Sequence, residues 1–324
     1  MVAIASQTIT YSPAYTLVPT YECFNRCTYC NFRRDPGKSQ WLSLDQARSV
    51  LSRLQSQGII EILILSGEVH PKSLRRQTWL QRIYDLCALA LKMGFLPHTN
   101  VGPLSFEEML HLKQVNVSMG LMLEQLTPKL LQSVHRHAPS KHPQVRLQQL
   151  TWAGKLQIPF TTGLLLGIGE TEADWQQTLE AIARSHQQWG HIQEVILQPH
   201  QTGQTQLEAR TPLDVKRFQA AIAMARQLLP AEITLQIPPN LIDAKALLAC
   251  LELGVRDLGG IGPKDEVNPD YPHLQHPQLS ALLASQSWQL QPRLPLYPKY
   301  DRWLSATLRP AVDQWRQQLS EATR

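Results

Sequence analysis

No stretch of this 324-residue sequence approaches the ~20 consecutive apolar residues that a membrane span needs. Met1–Tyr11 shows neither the basic start nor the long apolar stretch of a secretory leader, so a cytoplasmic protein without a membrane partner is expected. A large excess of one charge is also missing. Lysines and arginines number 31 against 26 aspartates and glutamates, a net charge of +5. The basic residues are scattered along the chain, which argues against a nucleic-acid partner. Cysteine is scarce and odd in number, five in all, so the thiols cannot all pair. Linkers and low-complexity segments are absent. With 43% hydrophobic and 18% charged residues, the composition supports a large buried core and excludes a disordered chain.

What is present is an alternation of short β-rich runs and longer amphipathic ones. Strands are predicted over Tyr15–Val18, Ile60–Leu65, Phe95–Thr99, Val115–Ser118, Phe160–Leu166, Glu194–Gln198, Ile233–Ile237 and Val255–Leu258. Helical patterns cover Leu44–Gln57, Trp79–Met93, Gln144–Leu156, Glu172–Gln187, Leu213–Leu228 and Ala244–Leu253. Ser43 and Asp243 stand where N-caps are wanted, and Gly58, Gly94 and Gly254 where helices end. Alternation of this kind implies a parallel sheet, and about eight units close a TIM-type (β/α)8 barrel, an α/β fold. One domain is expected over residues 1–324, with the barrel core over about 15–260. The remainder, 261–324, is rich in proline and is expected to wrap the barrel irregularly before a final helix near Leu304–Leu319.

Barrel enzymes place their chemistry at the C-terminal ends of the strands. Polar and glycine-rich residues recur at those ends here: Cys23 to Cys30, Ser66-Gly67-Glu68, His98-Thr99-Asn100, Gly167-Ile168-Gly169-Glu170, Gln198 and Gly259-Gly260. Three of the five cysteines crowd into Cys23-Phe24-Asn25-Arg26-Cys27-Thr28-Tyr29-Cys30, a C-x3-C-x2-C spacing with an aromatic before the last. In a reducing compartment such a cluster reads as metal binding. Structural zinc wants four ligands, and this loop has no histidine to complete them. Most 4Fe–4S clusters take four cysteines. Three leave one iron open, and the amino and carboxylate groups of S-adenosylmethionine can fill that position. Reductive cleavage of the sulfonium then gives a 5′-deoxyadenosyl radical. The spacing resembles that of the radical S-adenosylmethionine (radical SAM) enzymes.

Cys23, Cys27 and Cys30 are therefore the expected metal ligands. Tyr29, Ser66, Gly67, Glu68, Ser118, Glu124 and the turn Gly167, Ile168, Gly169 are expected around S-adenosylmethionine, with the Glu68 carboxylate receiving its ammonium. His98, Asn100 and Gln198 are expected to point into the barrel mouth toward substrate, with His98 as the catalytic acid–base. Cys87 and Cys250 fall on apolar helix faces and are expected in the core.

Further blocks narrow the resemblance: Pro97-His98-Thr99-Asn100-Val101-Gly102, Asn116 to Glu124, Ile158 to Gly163 leading into Gly167-Ile168-Gly169-Glu170-Thr171, Gly190 to Gln198, and Asp257-Leu258-Gly259-Gly260-Ile261. Over roughly residues 15–300 the chain resembles the CofG-type subunit family of 7,8-didemethyl-8-hydroxy-5-deazariboflavin synthases. It departs at Gly262, where that family leads one to expect serine, and in Pro263-Lys264-Asp265. The resemblance implies a radical SAM lyase with one 4Fe–4S cluster. Its substrate would be the tyrosine-derived adduct of 5-amino-6-(D-ribitylamino)uracil, cyclised with loss of ammonia to the deazaflavin chromophore. It also implies a tyrosine-joining sister subunit that supplies the adduct, and a reductant such as flavodoxin or ferredoxin. The alternatives are the tyrosine-joining sister itself, another radical SAM enzyme of cofactor biosynthesis, or a protein that only binds or assembles Fe–S clusters.

Overall fold

The computed structural model describes residues 7–208 and 210–322; the expectation for the start of the chain falls partly on residues 1–6, outside that range. Eight parallel strands close into a barrel in chain order: β1 (Gln7–Leu17), β2 (Glu61–Leu65), β3 (Leu96–Asn100), β4 (Ser118–Gly120), β5 (Phe160–Leu166), β6 (Ile192–Pro199), β7 (Thr234–Gln236) and β8 (Asp257–Ile261). β8 pairs with β1, and β1 with β2. The helices between them are α1 (Leu44–Leu54), α2 (Arg76–Lys92), α3 (Phe106–Lys113), α4 (Pro143–Lys155), α5 (Glu172–Trp189), α6 (Val215–Leu228) and α7 (Ala244–Glu252).

Local chemistry accounts for the boundaries. All of β5 is buried, as suits an uncharged strand covered on both faces, and its two threonines bond Glu194 and Leu121 O. Ser43 caps α1 in a reciprocal capping box with Gln46, and Asp243 Oδ1 accepts from Ala246 N at the start of α7 (2.8 Å). These bonds satisfy first-turn N–H groups that have no partner within the helix. Cys87 and Cys250 are fully buried in the core.

Three predicted strands shift, β8 among them, which runs two to three residues later than Val255–Leu258. β4 lies three residues later than its apolar signal, because Val115 and Val117 pack outside the ladder while Ser118 and Met119 pair with β3. β1 begins at Gln7, because its first half pairs with a ninth strand, β9 (Trp288–Pro292), before its second half pairs with β2.

The C-terminal extension holds more regular structure than its prolines suggest. It contains α8 (His276–Ala284), β9 and α9 (Arg309–Ala322). Pro277 sits in the first turn of α8, where its missing N–H costs nothing. Leu294, Leu296, Leu308 and Val312 join Ile60, Leu96 and Val117 in a cluster beneath the starts of β2, β3 and β4. Pro295 O accepts from Ser118 Oγ (2.6 Å) and Gln193 Nε2 (3.0 Å). The extension thereby floors the barrel at the end opposite the cysteine loop.

Arg293 reaches from this floor into the barrel. It donates to both oxygens of Asp257 (2.5 and 2.7 Å) and pairs with Glu194. Glu61 lies nearby, so three buried carboxylates share one guanidinium. Burial, together with Asp257 and Glu61, lifts the Glu194 carboxyl to about 7 against the pull of Arg293.

Removing one partner of a buried ion cluster leaves uncompensated charge. Arg293→Ala is thus expected to cost about 3–5 kcal/mol and lower Tm by roughly 6–15 °C. Calorimetry checks this, and a fall under ~2 °C would show that the floor stands without the pair. Because the folded state holds the Glu194 proton more tightly than the unfolded chain, the stabilisation linked to that proton is complete in acid. It is lost as pH rises through the range up to about 7.

Candidate active site

The loop that follows β1 folds back on itself through Cys23 N–H to Arg34 O (3.0 Å) and Arg34 N–H to Tyr21 O (2.7 Å). Its anchor is Glu22, buried beneath the loop. The carboxylate accepts from Gly37 N, Ser39 N and Trp41 Nε1 and pairs with Arg75. Neighbouring loops hold the other side: Arg26 N donates to His137 O (2.7 Å), Thr28 N to Val134 O (3.1 Å) and Phe24 N to Glu68 O (3.0 Å). Gly67 is required here, since a Cβ at that position would stand 2.2 Å from Glu22 O. The Ser66-Gly67-Glu68 strand end can therefore lie directly against the cysteine loop only with glycine at its centre.

The three thiols of this loop are free. Cys27 is buried and Cys23 and Cys30 half-buried, and the three lie within electrostatic range of one another. Burial pushes Cys23 up to about 11 and Cys27 up to about 12, the latter offset in part by the Lys141 ammonium. Among the described residues no three or more His, Cys, Asp or Glu side chains are gathered as one ion would need. A cubane binds each thiolate to a different iron, so its ligands stand further apart.

Cys30 lines a cavity of about 250 Å³ at the barrel mouth. Of the residues singled out in the sequence, Tyr29, Ser66, Glu68, Glu124, Asn100 and Gln198 line it as well. Leu121, Met122, Leu165 and Ile196 supply its apolar walls. The segment after β4 runs beside β5, with Glu124 N donating to Gly163 O (3.1 Å). Glu124 there adopts a φ of +61°, which aims a buried carboxylate at the mouth. Tyr29 packs on Leu130, Val134, Leu165 and Ile168, and its hydroxyl meets His135 Nε2 at 2.9 Å.

Other expected residues are placed elsewhere. Gly67 backs the loop without lining the cavity. Gly167 and Gly169 line a separate surface groove beside Arg210 and Arg217. The N–H groups of Gly167 and Ile168 are taken by Glu170 (2.6 and 2.8 Å). Ser118 is bonded into the floor through Pro295. His98 is buried below the mouth, where burial first and the Arg293 charge second lower its pKa to about 3. Such a histidine stays neutral at physiological pH. It lines the chamber below the mouth rather than the mouth cavity itself.

Several site residues carry no motif. Lys141 comes from the short turn before α4, and Arg146 from the first turn of α4 itself. Lys141 Nζ lies 2.5 Å from Glu124 Oε1, and Arg146 lies 3.5 Å from Glu68 Oε1 while donating to Met122 O (2.7 Å). Asn25, inside the cysteine motif, donates to Glu68 Oε2 (2.9 Å). The mouth thus holds two cations and two carboxylates in alternation. Burial alone would raise the Glu124 pKa, and Lys141 and Arg146 bring it below the ordinary value.

His200, just beyond β6, lines the same cavity. It is buried, and neither ring nitrogen makes a well-formed hydrogen bond among the described residues, although Gln206 approaches it. Asn31 Oδ1 and Gln206 Oε1, also on the cavity wall, are likewise without partners among the described residues. Buried polar atoms left this way mark a place where a ligand completes the bonding. A signal for His200 exists in the sequence, since it stands two residues past Gln198 at a strand end. Nothing local points to Lys141 or Arg146.

Residues 17–182 match the family model described as the Radical SAM superfamily. A 7,8-didemethyl-8-hydroxy-5-deazariboflavin synthase of Trichormus variabilis is 66% identical, over 95% of this chain and 91% of its own. That of Trichodesmium erythraeum is 62% identical over 97% of this chain and 99% of its own. Among solved structures, the FeFe-hydrogenase maturase HydG from Carboxydothermus hydrogenoformans superposes with a TM-score of 0.74 at 16% identity. That match covers 98% of this chain and 78% of the maturase and speaks for the fold alone.

Proposed function

We propose, from the premise that this chain belongs to the radical SAM superfamily and within it to the 7,8-didemethyl-8-hydroxy-5-deazariboflavin synthases, that its barrel mouth carries out the ammonia-releasing cyclisation of the tyrosine-derived ribitylaminouracil adduct. The observation that carries this reading is the three-thiol loop opening onto a cavity lined by unpartnered polar atoms. The barrel and its extension act as one domain in the cytoplasm. No helix among the described residues is long and apolar enough to cross a membrane. The adduct comes from a tyrosine-joining sister subunit, and electrons from a flavodoxin or ferredoxin.

Cys23, Cys27 and Cys30 would hold a 4Fe–4S cluster beside bound S-adenosylmethionine, and together these groups would supply one-electron cleavage and hydrogen abstraction. The alternating charges of the mouth suit a zwitterion: Lys141 and Arg146 face its carboxylate, Glu68 and Glu124 its ammonium and hydroxyls. Tyr29, backed by Ile168, gives a rigid aromatic wall. Asn100 and Gln198 offer both donors and acceptors to a uracil edge. Burial lowers the His200 pKa, so at neutral pH it is an unprotonated imidazole, fit to accept a proton as the amine departs.

Anaerobic incubation of the reconstituted protein with adduct, S-adenosylmethionine and reductant should yield deazaflavin absorbance and fluorescence together with 5′-deoxyadenosine. Cofactor cleavage without deazaflavin would overturn the reading. Glu68→Gln should weaken S-adenosylmethionine binding by roughly 10- to 100-fold, the worth of a hydrogen bond to a charged group. Equilibrium binding to the oxidised, cluster-loaded protein measures it, and an unchanged Kd would remove Glu68 from the cofactor site.

A further inference from the structure

Beneath the mouth cavity the barrel encloses a second chamber of about 130 Å³, roughly half the upper volume. The two share Asn100, Met122 and Ile196 as walls, so a molecule seated in the mouth can extend a narrow arm downward. Nothing in the mechanism above uses this lower space, yet polar side chains stand among its apolar walls: Glu61, His98, Thr161, Glu194, Gln236 and Arg293.

Proton counting sets the character of the chamber. Ser118 Oγ has one proton, and Pro295 O, which can only accept, takes it (2.6 Å). His98 Nδ1, 2.7 Å from the same oxygen, must therefore donate to it. The other nitrogen, Nε2, is left as a lone-pair acceptor. Gly120 keeps the space before it clear, since a Cβ there would stand 2.9 Å from Nε2. Gln236 Oε1 is a further buried acceptor without a partner among the described residues. Arg293 is already engaged by Asp257 and Glu194. Acceptors and carboxylates thus outnumber free cations, and an anion entering here would be buried without a counter-charge. An uncharged chain of hydroxyls, each able to donate to these acceptors, fits.

We infer that the lower chamber is the subsite for the neutral polyhydroxyl side chain of the substrate, with His98 Nε2 and Glu61 accepting from its hydroxyls, and that it rejects a chain ending in phosphate. It follows that a phosphate-removing step must precede this enzyme if the chain is made in phosphorylated form. The inference rests on the proposed function, in that the substrate carries a ribityl chain.

The test measures Kd on oxidised, cluster-loaded protein with S-adenosylmethionine present. Three ligands are compared: the ribityl adduct, the same adduct with the chain cut back to methyl, and the ribityl adduct phosphorylated at its terminal hydroxyl. Wild type should bind the ribityl adduct at least ~10-fold tighter than the methyl form, and at least ~100-fold tighter than the phosphorylated one. His98→Leu and Glu61→Gln should each weaken ribityl binding about tenfold while leaving the Kd of the methyl form unchanged, which also shows that the variants fold. Equal losses for both ligands, or a wild type indifferent to chain length or phosphate, would overturn the subsite. Deazaflavin production by wild type is scored in parallel. If it persists while the chain has no effect, only the subsite falls; if it is absent, the functional reading falls and the subsite with it.

Discussion

Cys27→Ala is expected to lose the iron–sulfur cluster altogether and, with it, all deazaflavin formation. The three thiols sit on one loop that is pinned at Glu22 and against the Ser66-Gly67-Glu68 strand end, so no other cysteine can swing in. Cys87 and Cys250 are fully buried in helices of the core. Of the three, Cys27 is the most enclosed, and burial pushes its thiol up to about 12. An alanine there leaves a dry gap that water or an exogenous thiol fills poorly. Iron and sulfide analysis after anaerobic reconstitution should give about four irons per chain for the wild type, as one cubane requires, and for Cys87→Ala and Cys250→Ala. The Cys27→Ala protein should retain almost none. A variant with full iron content would remove the cysteine loop from the cluster site.

His200→Ala should cut deazaflavin yield by roughly 10²- to 10⁴-fold, the usual worth of a positioned acid–base group, while S-adenosylmethionine is still consumed when adduct is bound. The basis is geometric. His200 is buried on the cavity wall, and its ring nitrogens make no well-formed hydrogen bond among the described residues, so a substrate proton has an acceptor there. Product yield per deoxyadenosine is the measurement. His98→Ala is the informative comparison, because a lower-chamber histidine should raise KM for the adduct more than it lowers yield per cofactor spent. Wild-type coupling in His200→Ala would show that the proton leaves by another route.

Much of the barrel is legible in the amino-acid sequence. The eight strands expected from β-rich runs all exist, and Phe160–Leu166 agrees to the residue, because an uncharged run of apolar, threonine and glycine residues suits a strand covered on both faces. The expectation over Val115–Ser118 meets β4 only at Ser118, because its valines are apolar for packing outside the ladder. β9 carries only a brief local signal: Trp288-Gln289-Leu290-Gln291-Pro292 alternates apolar and polar residues but is short and ends in proline. The extended β1 offers it an edge that no nearby pattern announces. Ser118 and His98 look alike from the chain, both polar residues on strands, yet β4 and β3 bring them together at the floor.

The sequence by itself determined the cysteine loop, the α/β alternation and the family, because each depends on residues a few positions apart, whose spacing sets ligand geometry or face periodicity. Tertiary structure decided the charges of the mouth and the character of the lower chamber. Lys141 meets Glu124 and Arg146 meets Glu68 across 17 and 78 positions, and Arg293 meets Asp257 across 36. Closing the barrel buries these groups together, and burial, by stripping water from charge, turns ordinary side chains into a neutral histidine and a proton-holding glutamate.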